Sequence, residues 1–229
     1  DGLPGASRAL LSAQHRMVKP IGDMISECFY EGRLKSETVD RVRELEPVLA
    51  APVSWISTHG LPDGERLERP SGLANTSFAN AAEAKAIVRF LENLNWLVQH
   101  ARWADKHGGK KLTALVLSGY RPQVAAIRQR VIASVQRLGA LEVEVNTVDA
   151  AQGREADISV FSVTRSNRRG DLGFLKFTPR VNVALSRGKY GLVIVGDLRF
   201  CEDHPGPLAE VASYIRSHPD NCSINEVEA

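Results

Sequence analysis

Leu112-Thr-Ala-Leu-Val-Leu117 leads through Ser118-Gly119-Tyr120 to Arg121-Pro122, then to Val124, Ile127, Val131, Val135 and Leu138. The first six residues form an apolar run with the length of a buried strand. Pro122 falls in the first turn of a helix, where its missing N–H costs nothing. The later apolar residues recur at spacings of three and four, which is one face of that helix. A buried strand handing directly to an amphipathic helix is the repeating unit of an α/β fold.

The same alternation continues on both sides. Upstream, Ala79 to about Ala104 reads as a long helix, with Ile87, Phe90, Leu91, Leu94, Leu97 and Val98 on one stripe. Downstream, Glu142–Val148, Ile158–Val163 and Leu192–Val195 read as strands, and Pro207–Ser217 as a closing helix. Thr178-Pro179 reads as an N-cap followed by proline, opening a helix to about Ser186. Near the start, Ile21–Phe29 is a short helix after Pro20. Val53-Ser-Trp-Ile56 is a strand placed at a sheet edge by Pro52. Short apolar strands alternating with helices predict a mainly parallel sheet covered on both faces, a three-layer α/β/α sandwich. The expected organisation is a single domain over 1–229, with 35–77 an irregular insert or linker and 218–229 a flexible tail. In such sheets ligands bind beyond the carboxyl ends of the strands, so those loops are the ones to search.

Length and composition agree with this reading. The chain has 229 residues, enough to bury a core without staples, and 43% hydrophobic and 24% charged residues exclude wholesale disorder. Cys28, Cys201 and Cys222 are far apart, which argues against a disulfide framework or zinc site and for a reducing cytoplasmic compartment. No apolar run reaches the ~18 residues of a membrane span. The start on Asp1 suggests a piece of something longer. The net charge of +2 hides local polarity. Gly108–Arg137 carries six lysines and arginines and no acid, and Arg154–Lys189 eight against three acids. Solvated helix faces account for such runs, and so does a polyanionic partner.

No Gly-x-x-x-x-Gly-Lys-[Ser/Thr] phosphate loop is present. Leu192–Asp197 has the outline of an apolar strand ending in a magnesium-binding acid, but without that loop Asp197 reads as a cap or turn residue. The six histidines show no metal spacing, and no metal site is expected. What the chain does carry is a series of polar clusters: Gln14-His15-Arg16-Met17, Ser118-Gly-Tyr-Arg121, Asp149-Ala-Ala-Gln-Gly-Arg-Glu155, and Asn182-Val-Ala-Leu-Ser-Arg-Gly-Lys189.

Taken in order, these clusters resemble the second RecA-like motor domain of superfamily 1 helicases, in particular the 5′-to-3′ branch containing the nonsense-mediated-decay RNA helicase. The resemblance runs from Leu10 to about Ile215. It is carried by Leu11-Ser-Ala-Gln-His-Arg-Met17, Phe29-Tyr-Glu-Gly32, Val116-Leu-Ser-Gly-Tyr120, Asn146-Thr-Val-Asp-Ala-Ala-Gln-Gly-Arg-Glu155, Gly173-Phe-Leu175 and Arg180-Val-Asn-Val-Ala-Leu-Ser-Arg187.

It implies a RecA-like domain lacking its own phosphate loop, with ATP and Mg2+ bound jointly with a missing N-terminal motor domain. Arg187 would be an arginine finger and Arg16 a second γ-phosphate contact. Gln14 and His15 would face the nucleotide, His15 standing where relatives often carry a tyrosine stacked on the base. Glu155 would accept from the ribose hydroxyl, and Gln152 would link the nucleotide and strand sites. Single-stranded DNA or RNA would be met by Ser118, Tyr120 and Thr147, although Tyr120 equally suits packing over the following helix. Such a fragment would be inactive alone. A non-catalytic nucleic-acid-binding or interaction module derived from the same domain is the alternative. Relatives often carry two arginines where this chain has Arg187-Gly188-Lys189.

Overall fold

In the computed structural model, residues 13–37, 45, 49, 51–71 and 76–227 are described. In chain order these form β1 (Ala13–Gln14), α1 (Lys19–Tyr30), β2 (Lys35–Ser36), β3 (Val53–Ser57), α2 (Asp63–Arg66), β4 (Arg69–Ser71) and β5 (Ser77–Ala79). Then come α3 (Ala81–His100), α4 (Trp103–Lys106), β6 (Leu112–Ser118), α5 (Arg121–Ala133), β7 (Leu141–Thr147) and β8 (Ala156–Ser162). The chain closes with α6 (Thr178–Leu185), β9 (Gly188–Gly196), α7 (Leu198–Asp203), α8 (Pro207–Ser217) and β10 (Cys222–Glu226).

Six strands make one sheet in the order β10-β3-β9-β8-β6-β7, every pair parallel. The inner strands are buried on both faces, which is why β6 and the second half of β9 are nearly continuous apolar runs. In β9, Leu192 and Ile194 join a core beneath α1, α6, α7 and α8. Val193 and Val195 point the other way, into a core beneath α3, α4 and α5. This is the three-layer α/β/α sandwich expected.

Four local expectations are corrected. β3 is not an edge strand but lies between β10 and β9. Pro52 stands one residue before it and contributes only its carbonyl, which accepts from Leu192 N–H at 2.8 Å. The strand that covers β3 is β10, from the segment expected to be a flexible tail. Cys222–Glu226 pairs with Val53–Ser57 residue for residue, and Cys222 is buried. The long helix stops at His100 because Arg102 turns left-handed at φ 54°, and the chain resumes with buried Trp103 as the separate short α4. Thr178 is the first residue of α6 rather than its cap; Phe177 precedes the helix and no side chain caps it.

The parallel sheet has two working edges. Ser118, Thr147 and Ser162 are level with one another at the carboxyl ends. Ala156 and Gly188 face each other at the amino ends of β8 and β9. One segment, 148–155, runs back across the sheet from the first edge to the second.

Candidate nucleotide site and strand-binding edge

Gln14 is the local organiser of the first polar cluster. Its amide Nε2 donates to Met17 O at 3.0 Å, and its Oε1 accepts from Arg16 N–H at 3.0 Å and Met17 N–H at 2.8 Å. That turn is pinned to the start of β9, because Val18 N–H donates to Lys189 O at 2.8 Å. Glu155 and Arg187 immediately precede β8 and β9, whose first residues are tied by Ala156 N–H to Arg187 O at 3.1 Å. Three separate chain segments thus converge at the amino edge. The cations that meet Glu155 thus stand at the amino edge, whereas ligands in such sheets usually bind at the carboxyl edge.

At the centre is Glu155. Its Oε2 accepts from Arg16 Nε at 2.8 Å, and its Oε1 lies 3.0 Å from Lys189 Nζ. Hydrogen bonds from Lys189 and then Arg16 hold the carboxyl below its usual range. A bulge aims Lys189 inward: Ala156 faces Gly188 but Ile158 faces Gly191, so β9 carries one extra residue there. Gly188 permits the bulge, since a Cβ on it would collide with the Gly191 carbonyl and crowd Ser159. Gly153 serves the crossover in another way, adopting φ +82°, a conformation costly for other residues.

Arg187 is only 9% exposed. Its Nε donates to Val183 O at 2.8 Å and its Nη1 to Arg154 O at 3.3 Å. Among the described residues it has no carboxylate in ion-pair contact. Burial lowers its pKa, and the nearby positive charge of Arg16 lowers it further. Arg16, Arg187 and Lys189 therefore present three cations around one carboxylate. A buried guanidinium satisfied only by carbonyls, beside a second guanidinium, lowers its energy when an anion with several oxygens arrives. His15 is exposed beside Arg16, and Gln152 is exposed on the crossover.

These residues fit a nucleotide's phosphates but not a magnesium site. Among the described residues no group of three His, Cys, Asp or Glu could hold a metal ion. Asp197 is occupied as the N-cap of α7, accepting from Phe200 N–H at 3.1 Å, from Ser166 Oγ at 2.6 Å and from Arg66 Nη1 at 2.6 Å.

The expected strand contacts divide. Thr147 is half-buried, and its hydroxyl accepts from Ala150 N–H at 3.3 Å. Ser118 is wholly buried, bonded to Thr164 Oγ1 at 2.9 Å and to Tyr120 N–H at 3.2 Å. The Tyr120 hydroxyl accepts from Phe174 N–H at 2.9 Å, and its ring packs edge-on against Phe78 and Phe174. Packing is the role this arrangement gives Ser118 and Tyr120. Their side chains frame the edge rather than reach out from it.

The sequence clusters end on Lys189 without giving it a role, and they omit Arg165 altogether. Arg165 is 2% exposed, paired with Glu68 at 3.1 Å and Asp171 at 2.9 Å, and its guanidinium stacks over Phe78 at 4.0 Å. Nothing in local sequence marks it, because its partners lie up to 97 positions away in the chain.

The family model described as an AAA domain matches residues 4–199. A regulator of nonsense transcripts 1 homolog of Drosophila melanogaster is 34% identical over 202 residues, covering 82% of this chain and 15% of that protein. The ATP-dependent helicase NAM7 of Saccharomyces cerevisiae is 33% identical over 198 residues, covering 82% of this chain and 18% of that protein. The DNA replication ATP-dependent helicase/nuclease DNA2 of Bos taurus is 31% identical over 235 residues, covering 90% and 20%. Among solved structures, the C-terminal domain of a possible DNA helicase from a Lactobacillus superimposes with a TM-score of 0.46 at 14% identity over 93% of this chain and 99% of that one, too loosely to add to the sheet order. The fold is that of a RecA-like α/β domain, with Arg16, Arg187 and Lys189 gathered around Glu155. The chain belongs to the AAA-domain family of superfamily 1 helicases, related to those acting in nonsense-mediated decay. It spans less than a fifth of the length of the nonsense-decay relatives it matches.

Proposed function

We propose that this chain is the second motor domain of an ATP-dependent helicase or translocase, forming one wall of a nucleotide site. The phosphate loop and the magnesium ligands then belong to a first motor domain of the same parent protein. The observation that carries the reading is Arg187, a desolvated guanidinium with no carboxylate in ion-pair contact among the described residues, beside Arg16.

Phosphoryl transfer depends on positioning and on neutralising charge that builds on the γ-phosphate oxygens. Arg187 is already out of water and keeps its charge, so little reorganisation accompanies phosphate contact. Arg16 turns from Glu155 toward the same oxygens, or shares itself between them. Glu155 is held ionised by Lys189, which suits it to accept a hydrogen bond from a ribose hydroxyl. His15 offers its exposed ring to the base, while Gln14 acts indirectly by fixing the turn that presents both. Gln152 sits on the segment joining this site to the carboxyl edge. At that edge Thr147 meets the backbone of single-stranded DNA or RNA, and the basic Gly108–Arg137 segment adds salt-sensitive attraction. Cytoplasmic residence accords with three free thiols.

The test is Arg187→Ala in the parent protein carrying both domains. ATP turnover should fall by roughly 10³-fold or more, with the circular dichroism spectrum unchanged. Arg187→Lys should not restore it, because an ammonium lacks the guanidinium fork. Near-normal turnover in Arg187→Ala would remove this residue from the chemistry.

A further inference from the structure

Four large hydrophobic side chains stand out among the described residues as exposed: Trp96, Ile132, Val135 and Phe177. Trp96 is partly covered by His100, whose ring centroid is 3.8 Å away, and Ile132 and Val135 are aliphatic. Phe177 differs. It is an aromatic ring, 53% exposed, with an arginine beside it.

The backbone around Phe177 is held on both sides. Its N–H donates to Phe174 O at 3.2 Å, and its carbonyl accepts from Arg180 N–H at 2.9 Å and Val181 N–H at 3.1 Å. The Arg180 guanidinium carbon is 5.5 Å from the Phe177 ring centroid and 5.8 Å from that of Phe174. Arg180 Nε is in turn anchored 3.3 Å from Asp149, two residues after Thr147. Phe174 hangs from the Tyr120 hydroxyl at the end of β6. The backbone that carries the ring is therefore fixed at the carboxyl edge, between the frame built by Tyr120 and the crossover leaving Thr147. Lys176 and Arg180 are about half exposed and flank it in sequence.

Leaving a phenyl ring in water costs apolar burial that an inward-facing residue would gain. A rigidly mounted exposed ring backed by a cation is the chemistry that receives a flat partner. Bases stack on such rings whatever their identity, and the adjacent cations suit the phosphates on either side. We propose that Phe177, supported by Arg180, is a base-stacking platform for one nucleotide of a single strand crossing the carboxyl edge. The proposal rests on the strand-binding reading above and adds a contact to the base, where Thr147 offers only one to the backbone.

The experiment uses this chain and two fluorescein-labelled oligonucleotides of roughly a dozen residues, within the usual site size. One is oligothymidylate; the other is an abasic oligomer with the same number of phosphates. Binding is read by fluorescence anisotropy at two salt concentrations. The wild type should bind oligothymidylate on the order of tenfold more tightly than the abasic strand. Phe177→Leu should abolish that difference while leaving abasic affinity and salt dependence unchanged, and Phe177→Trp should keep it. Equal binding of both strands by the wild type overturns the proposal. So does a preference that survives in Phe177→Leu, which would place the ring in a contact with protein instead. Failure of the wild type to bind either strand would instead remove the strand-binding reading, and the platform with it.

Discussion

Two glutamates in this domain occupy opposite electrostatic environments. Glu155, near the surface, is held ionised by Lys189 and Arg16. Glu83 is wholly buried, and burial pushes its carboxyl up to about 8 against hydrogen bonds from Ser162 Oγ and Thr164 N–H. Its second oxygen has no hydrogen-bond partner among the described residues. At neutral pH the folded chain therefore keeps a proton on Glu83 that the unfolded chain, with an ordinary carboxyl, has released. Folding takes up that proton, so this residue's contribution to stability falls as pH rises from the ordinary glutamate value near 4.5 to about 8, then levels off. Glu83→Gln should flatten that part of the profile. Urea midpoints measured between pH 5 and 9 should fall with pH less steeply in the variant than in the wild type; parallel curves would show that Glu83 is charged in the fold.

At the scale of elements, β10 and the bulge in β9 matter most. β10 contributes buried Cys222 and a full ladder to β3, so removing residues 222–229 would leave β3 with an open edge. The shortened chain should lose on the order of 2–3 kcal/mol in urea unfolding and associate at concentrations where the full chain does not. Unchanged stability and unchanged light scattering would show that β10 is dispensable. These are also the elements least legible in sequence. Cys222–Glu226 has a polar half and lies beyond a helix, and what makes it a strand is pairing with residues about 170 positions earlier. Pro52 suggested an edge for β3 because sequence does not reveal on which side of a strand's first hydrogen bond a proline falls. By contrast β6, α5 and α8 were legible because their periodicity is local.

At the scale of the molecule, the proposed anion site consists of Arg16, Arg187 and Lys189 around Glu155, with no phosphate loop in the sequence. On that basis the isolated chain should not hydrolyse ATP. A phosphate-release assay at micromolar protein should stay at the buffer baseline, and turnover that survives further purification would mean that this chain carries a phosphate-binding element of its own. The motifs around Arg16, Glu155 and Arg187 were visible as residues, and the structure brings them to one edge. Lys189 became part of the cluster only through the bulge, a geometric event that requires Gly188 and has no one-dimensional signal. Ser118 and Tyr120 sit at the carboxyl end of β6 but face inward, because that end is roofed by Phe174 and Phe78. Spacing identifies a strand end and leaves the direction of its last side chains undetermined.

The crossover from Thr147 to Ala156 has to traverse the sheet in nine virtual bonds. Six residues of rise along β8 and two inter-strand spacings separate its ends by about 22 Å, against a fully extended reach of about 30 Å. The turn at Asp149–Ala151 consumes about 4 Å of that surplus, and a second turn, closed by Arg154 N–H to Ala151 O at 3.1 Å, takes up more. The segment is thus a short cord whose slack is held in two small coils. An excursion of Glu155 beyond a few ångströms has to draw on them, and Asp149, which tethers Arg180, lies within the first.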